Sequence, residues 1–380
     1  MPFVERDLMS EREEFVMFAG REGSNISALC VRFGISRKTG YKWLERHRQA
    51  EPDMAWSGDR SRRPLSISGR TDSEMEAQVL EVRAAHPAWG GRKIRHVLMT
   101  RGLQGVPSAS TVTAILNRHA QISPQASRAA TPYVRFEREA PNRLWQMDFK
   151  GHFAISAGRC HPLTVLDDHS RYNICLAACA NEQGQTVQAH LTEAFRRYGL
   201  PDQMIMDNGA PWGDAAGSPW TPLTVWLLML AIRVSHGRPY HPQTQGKDER
   251  FHRSLKAEVL SCQSFATLAD CQDRFDAWRS IYNRLRPHQA LDMAVPSSRY
   301  APSPRRMPEV CRPPDYDEGE TVVTVRQKGE LRYKGKTLRL PKAFSGYNVA
   351  MRRNQDDGDK IDICFGAQRI KTVDLKAGEM

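Results

Sequence analysis

Apolar and polar positions change texture along the chain, and the changes outline its elements. Residues 11–50 repeat at helical spacing and predict three helices. In NISALCVRFGISRKTGYKWLERHR, Ala28, Leu29, Val31 and Phe33 offer an apolar face. Gly34 then interrupts it, Ile35 can be buried in the turn, and Ser36 can cap the next helix. That helix carries Arg37, Lys38, Tyr41, Lys42 and Trp43. A helix, a short glycine turn and a basic second helix form a helix-turn-helix pattern, whose second helix enters the major groove. A plain helical hairpin has the same outline, but cations clustered on the second helix favour DNA. Arg37, Lys38 and Lys42 are the candidate contacts.

WSGDRSRRPLS follows, a linker by its Gly, Pro and arginines. Its Arg60, Arg62 and Arg63 suit a minor groove or a phosphate row, and a solvated charge run would read the same way. Residues 71–120 predict a second helical unit. Thr71 or Asp72 can cap a helix to about Ala85, HPAWGGRKIRHVLMTRG breaks at Pro87 and Gly90–Gly91 and starts another, and Ser108 opens a last helix through Asn117. Residues 121–141 have little periodicity and several prolines, which marks a boundary.

The middle of the chain reads differently. LWQMDFKGHFAI alternates and predicts a strand, and HPLTVLDDHSRYNICLAAC predicts two more, joined at Asp168–Arg171. NEQGQTVQAHLTEAFRRYG is an amphipathic helix ending at Gly199, QMIMDNG a short buried strand, and residues 219–232 an apolar helix. Such an order implies a mixed sheet covered on both faces. Residues 301–316 are Pro-rich and polar. From Thr321 onward, TVVTVRQ, ELRYKGKTLRL, NVAMRRN and KIDICFGAQRIKTVDL predict a small β-barrel.

Charge sharpens this division. The net charge is +12, and residues 1–140 hold 22 Lys/Arg against 16 Asp/Glu, residues 141–300 hold 17 against 15, and residues 301–380 hold 16 against 12. Basic ends around a more balanced centre fit DNA-gripping ends, although mild basicity alone is common. The N-terminus lacks the apolar core of a signal peptide, and the longest apolar run, Val225–Ile232, is too short to span a bilayer. The eight cysteines are scattered without zinc spacing and read as reduced thiols of a cytosolic protein.

The acids of the middle region suggest chemistry. Asp148 lies inside the first strand, where aspartate is disfavoured, and Asp207 ends the short buried strand. The carboxyl ends of such strands are where open α/β sheets place their sites. Glu249 stands near the start of a helix after a loop broken by Pro239, Pro242 and Gly246. At about 100° per residue, Glu249, Arg253 and Lys256 share a face about 60° wide, with Phe251, Leu255 and Val259 opposite. Three carboxylates can hold divalent ions on either side of a scissile phosphate, with Arg253 and Lys256 on the backbone. Taken alone, this helix better fits a surface Glu–Arg pair, and Asp148 and Asp207 reverse that preference. Asp167 and Asp168 at a strand end compete for the metal role, and Asp248 projects about 100° from Glu249. Trp212 suits either a core or a stacked base, and His236 and His241 a solvated loop or a site edge.

Several motifs in one order resemble the DDE integrase/transposase superfamily, with its RNase H-like core, and the bacterial insertion-sequence transposases of the IS481 and IS3 type. They are WQMDFKG, LDDHSRY, MDNGAPW, HPQTQGKDERFHRSLKAEVL and YNRLRPHQAL, with DRSRRP and HPAWGGRKI upstream. The likeness spans most of the chain. The 41 residues between Asp207 and Glu249 are a few more than is usual in this superfamily, and GDAAGSPWTP could absorb the excess as a loop.

The resemblance implies a multidomain protein: a helix-turn-helix domain at 1–55, a basic linker at 56–70, a second helical DNA-binding domain at 71–121 and a linker at 122–140. A catalytic domain with a mixed five-stranded sheet follows at 141–300, then a linker at 301–316 and a small β-barrel at 317–380. It implies Asp148, Asp207 and Glu249 as a triad holding two Mg²⁺ or Mn²⁺ ions, and adds Arg92 and Lys93 to the DNA contacts. The implied activity is hydrolysis at the 3′ ends of an element bounded by inverted repeats, and their joining to target DNA. The implied partners are double-stranded DNA and further copies of the chain, as a dimer or tetramer on DNA, with no membrane, in a cytoplasmic, nucleoid-associated setting. A transposase-derived DNA-binding regulator without cleavage is the alternative. A nuclease acting on RNA–DNA hybrids is disfavoured by the helix-turn-helix pattern.

Overall fold

Ser36 accepts the amide of Thr39 at 3.2 Å and so starts the basic helix where the sequence places it. The computed structural model describes residues 8–51, 56–59, 71–122, 137–214, 217–237 and 246–375. The chain divides into two compact units, Met1–Arg70 and Thr71–Met380.

The first unit holds α1 (Leu8–Ala19), α2 (Ile26–Arg32) and α3 (Arg37–Arg48). Its core is Phe15, Val16, Cys30 and Trp43. The face of α2 differs from the expected one, because Ala28 and Val31 are exposed while Ile26, Leu29, Cys30 and Phe33 turn inward. The i, i+3, i+4, i+7 spacing of those four explains the choice. Gly40 lets α3 cross closely, since a Cβ there would meet Cys30 Sγ at 2.6 Å. Arg37, Lys38 and Lys42 are exposed on α3, whereas Arg60, Arg62 and Arg63 lie outside the described residues.

The second unit begins with α4 (Ser73–Ala85), α5 (Gly91–Thr100) and α6 (Ala109–Arg118), capped respectively by Asp72, Gly90 and Ser108. Val79, Val82, Trp89, Ile94, Leu98 and Ile115 fill the space between them. A Cβ at Gly91 would lie 2.4 Å from the carbonyl of Ala109, so only glycine permits this α5–α6 approach.

The central sheet is built from β1 (Trp145–Phe149), β2 (Phe153–Ile155), β3 (Gly158–Asp167), β4 (Asn173–Cys179), β5 (Gln203–Met206) and β6 (Arg233–His236). Its order is β2-β3-β1-β5-β6, with β4 also paired to β3. The sheet is mixed, as expected: β1 and β3 are antiparallel, while β1–β5 and β5–β6 are parallel. It has six strands rather than five. The run LWQMDFKGHFAI breaks at Gly151, whose φ is +83°, so β2 forms a separate short strand on the protruding end of β3. The edge strand β6 follows directly after the apolar helix.

Helices cover both faces. On one, α7 (Gly184–Tyr198) and α8 (Pro222–Met229) pack Val187, Leu191, Phe195 and Leu223 against Trp145, Met147 and Val165. On the other, α9 (Gly246–Leu255), its π-helical continuation Lys256–Leu260 and α10 (Leu268–Arg284) pack Phe251, Leu255, Val259 and Phe275 against Leu166 and Leu176. Ile281 of α10 also packs on the cluster formed by α4–α6.

Residues 301–316 form no helix or strand, yet they are fastened to the core. Arg305 donates to the carbonyls of Pro201 at 2.7 Å and Ala231 at 2.9 Å, and its own carbonyl accepts from Leu200 N at 2.7 Å. Gly199, at φ +76°, admits this strap, because a Cβ there would meet the Ser303 carbonyl at 2.5 Å.

The expected β-barrel does not close among the described residues. β7 (Val322–Thr324), β10 (Asn348–Arg353), β11 (Lys360–Phe365) and β12 (Gln368–Asp374) form an open sheet in the order β12-β11-β10-β7. β8 (Glu330–Tyr333) and β9 (Lys336–Arg339) pair as a separate hairpin. β7 is only three residues long, and the chain turns away through Lys328 at φ +66°, which leaves too little edge to complete a cylinder.

Candidate active site

Parallel pairing of β1 and β5 sets Trp145 beside Met204 and Gln146 beside Ile205. Asp148 and Asp207 lie equal steps beyond these pairs, so the two carboxylates end neighbouring strands. Both are partly buried. Desolvation, then the nearby Asp207, pushes the Asp148 carboxyl up to about 7. Desolvation also raises Asp207, opposed by the Gly209 amide that donates to its Oδ1 at 3.1 Å and by His236. Two half-desolvated carboxylates with few hydrogen-bond donors fit a hard divalent cation, which prefers few carboxylates plus water and phosphate oxygens.

Glu249 does not join them here. It is exposed on α9 together with Arg253 and Lys256, which bears out the phase of that helix. Among the described residues, no three His, Cys, Asp or Glu side chains are grouped so as to hold a metal ion. The inward face of α9 instead carries Asp248, Phe251, His252 and Leu255. Asp248 is 2% exposed, and its Oδ1 has no hydrogen-bond partner. Burial, then Asp148 and Asp168, raises its carboxyl well above the usual range. The 100° that separates Asp248 from Glu249 therefore turns the former into the protein. His252 Nδ1 lies 3.9 Å from Asp148 Oδ2.

A further acid, Glu182 in the β4–α7 loop, raises both Asp148 and Asp207, and pairs with His161 Nδ1 at 2.9 Å. Sequence reasoning missed Glu182 and His252. The signal for His252 was its i+4 spacing from Asp248. Glu182 had none, because only the fold brings it near.

The competing acids are structural. Asp167 Oδ1 accepts from Ser170 N at 2.8 Å and its Oδ2 from Asn142 N at 2.7 Å. Asp168 accepts from Gln146 Nε2 at 2.7 Å and Arg138 N at 2.8 Å, and pairs with Lys247. Trp212 is core, stacked on Phe149 at 5.7 Å. His236 is partly buried at the end of β6, and His241 lies outside the described residues. Of the proposed DNA contacts on α5, Arg92 is exposed, whereas Lys93 is partly buried toward Arg286 and Glu258, its amine lowered to about 8 mainly by burial.

Residues 138–242 and 230–296 match the two descriptions of the integrase core domain. Residues 39–116 match a homeodomain-like domain, and residues 320–380 the C-terminal domain of the IS481 family transposases. A 31.7 kDa protein of insertion element IS407 from Burkholderia multivorans is 29% identical over 247 residues, 62% of this chain and 85% of that protein. A 39.2 kDa protein of IS476 from Xanthomonas euvesicatoria is 26% identical over 229 residues, 59% of this chain and 63% of that protein. A chain of the simian T-cell lymphotropic virus intasome superposes with a TM-score of 0.37 at 16% identity, over 78% of this chain and 96% of that one. A homeodomain-like region, an integrase core and an IS481 C-terminal domain, in that order and with insertion-element relatives, make this chain a member of the DDE integrase/transposase superfamily, an insertion-sequence transposase of the IS481 type.

Proposed function

We propose that the protein binds the terminal inverted repeats of its element, hydrolyses the 3′ ends and joins them to target DNA by metal-dependent phosphoryl transfer. The observation that carries this reading is the Asp148–Asp207 pair at the ends of adjacent parallel strands. Asp148, Asp207 and Glu249 would hold two Mg²⁺ or Mn²⁺ ions. Such ions supply activation of the attacking oxygen and stabilisation of the leaving 3′-oxygen. The reading requires the Glu249 carboxylate to join the aspartates once DNA and ions are bound.

The chain's own residues have separate tasks. Arg37, Lys38 and Lys42, exposed on α3, suit the major groove of a terminal repeat. Arg92 on α5, and Arg60, Arg62 and Arg63 of the basic segment, extend the footprint along phosphates. Arg253 and Lys256 stand on the Glu249 side of α9 and can orient the reacting backbone. Lys93 faces other side chains of its own chain and is the weakest of the proposed contacts. Two ends must be held together for joining, which calls for a dimer or tetramer on DNA. Among the described residues no helix is long and apolar enough to cross a membrane. Acting on the element's DNA would place the protein at the nucleoid in the cytoplasm.

The test is joining of cognate end oligonucleotides to a plasmid with Mg²⁺. Asp148→Asn should abolish joining and leave end binding intact. End binding without metal-dependent cleavage by the native chain would instead establish the regulator reading.

A further inference from the structure

Thr164, on β3, is the cross-strand partner of Asp148 and is fully buried. Its hydroxyl donates to the backbone carbonyl of Asp148 at 2.9 Å. The same oxygen lies 2.9 Å from His252 Nε2. A hydroxyl has one hydrogen to give, and the carbonyl takes it. The imidazole must therefore donate from Nε2, which fixes its tautomer. The ring's other nitrogen, Nδ1, is the atom that faces Asp148 Oδ2 at 3.9 Å, beyond hydrogen-bond reach. His252 is 8% exposed, so no bulk water competes for these bonds.

The chain His252 Nε2–H to Thr164 Oγ1–H to Asp148 O joins three elements of the site. Asp148 belongs to the strand that supplies the first carboxylate. His252 belongs to α9, one turn after Asp248 and on the helix that carries Glu249. Apolar packing by Phe251 and Leu255 holds α9 against the sheet without fixing its axial position, because such contacts are non-directional. The hydrogen-bonded chain is directional and, together with the Lys247–Asp168 pair in the first turn, sets that position.

We propose that His252 is a positioning residue, which through Thr164 locks the helix bearing Glu249 in register with the strand bearing Asp148. This rests on the transposase reading for its purpose. The linkage itself is a property of the fold and can be tested apart from it.

Two pairs of substitutions isolate the linkage. The amide nitrogen of glutamine reaches the place of Nε2, whereas that of asparagine reaches only the place of Nδ1. His252→Gln should therefore keep the bond to Thr164, and His252→Asn should lose it. Thr164→Ser keeps the hydroxyl and Thr164→Val removes it. Mn²⁺ binding to the DNA-free protein, followed by electron paramagnetic resonance, and Mg²⁺-dependent joining are measured for all four. His252→Asn and Thr164→Val should each weaken Mn²⁺ binding and joining by about tenfold or more, because the chain also holds the backbone of Asp148, and losing such support of a ligand costs about that much. His252→Gln and Thr164→Ser should stay within about threefold of the native protein on both readouts, well short of the roughly 10- to 100-fold loss that follows removal of an outer-shell partner. End binding should be unchanged throughout.

Native-like metal binding and joining by His252→Asn would overturn the proposal. So would equal impairment of all four variants, which would mean that the site needs only the native shapes. If the native chain joins no DNA, the transposase reading falls. The Mn²⁺ measurements, and the Nε2–H tautomer read by ¹⁵N resonance of His252, still decide the linkage. A ring protonated only at Nδ1 would sink it.

Discussion

Lys247 donates to both the carboxylate and the backbone carbonyl of Asp168, the latter at 3.2 Å. The first turn of α9 is thereby tied to the β3–β4 turn. Asp168 is fully buried, and two further donors, Gln146 and Arg138 N, converge on it. Removing the acid leaves a lysine in a partly buried site beside Arg171. Asp168→Ala should cost about 3–5 kcal/mol in denaturant unfolding, the usual result of breaking a buried pair from one side. Lys247→Met should cost less, because Asp168 retains its other two donors. Equal costs for the two changes would contradict this account.

The Asp148 carboxyl sets a pH signature for the metal-free protein. Its ordinary value of 3.8 rises to about 7 in the fold, through desolvation and then Asp207. A raised carboxyl favours folding while it stays protonated. Its stabilising contribution is complete below 3.8 and is lost as pH rises through about 7. Melting temperature without metal should therefore fall from pH 5 to pH 8, and Asp148→Asn should flatten that slope. Added Mg²⁺ should raise melting temperature at pH 8 and do little at pH 5, where the proton competes for the same oxygen. Parallel curves for the native chain and the Asp148→Asn variant would remove Asp148 as the cause.

Much of this site was legible in the sequence. An aspartate within an apolar strand, and another ending a short buried one, are unfavourable unless chemistry needs them, and the sheet places both toward the carboxyl ends of neighbouring strands. The phase of α9 was also legible, since Glu249, Arg253 and Lys256 share its exposed face. Periodicity says which residues share a face but not what that face meets. Hence Asp248, set aside as projecting elsewhere, proves to be the acid turned toward Asp148. Glu182 and Thr164 could not be found this way, because their roles arise from pairing between distant strands and loops. The barrel was overread for a related reason. Short alternating strands predict pairing, but closure depends on strand length and tilt, and β7 is too short to supply them.

Asp248 offers a stabilising change. A buried carboxylate oxygen without a partner costs free energy, and here the neighbouring Asp148 and Asp168 add repulsion. Asp248→Asn keeps the shape and removes the charge. It should stabilise the metal-free protein by about 1–3 kcal/mol at pH 8. The gain should shrink as pH falls, because protonation neutralises the raised carboxyl. Destabilisation by this substitution at pH 8 would show that attraction, such as that of the adjacent Lys247, outweighs burial and repulsion in the charged form.

The contact between the α4–α6 unit and the core rests on a second buried pair. Glu258 accepts from Arg286 Nε and from Trp278 Nε1, each at 2.9 Å, and the Glu258 and Arg286 side chains are 9% and 10% exposed. Lys93 of α5 faces the same pair, repelled by Arg286 and attracted by Glu258. Glu258→Ala would leave two cations facing each other with the acid gone. It should cost about 3–5 kcal/mol, and Lys93→Met should recover part of that loss by removing one of the cations. Lys93→Met alone should be nearly neutral, because burial already disfavours its charge. The non-additivity in that double-mutant cycle is the quantity to measure. Additive costs would mean that α5 and the core do not communicate through Glu258.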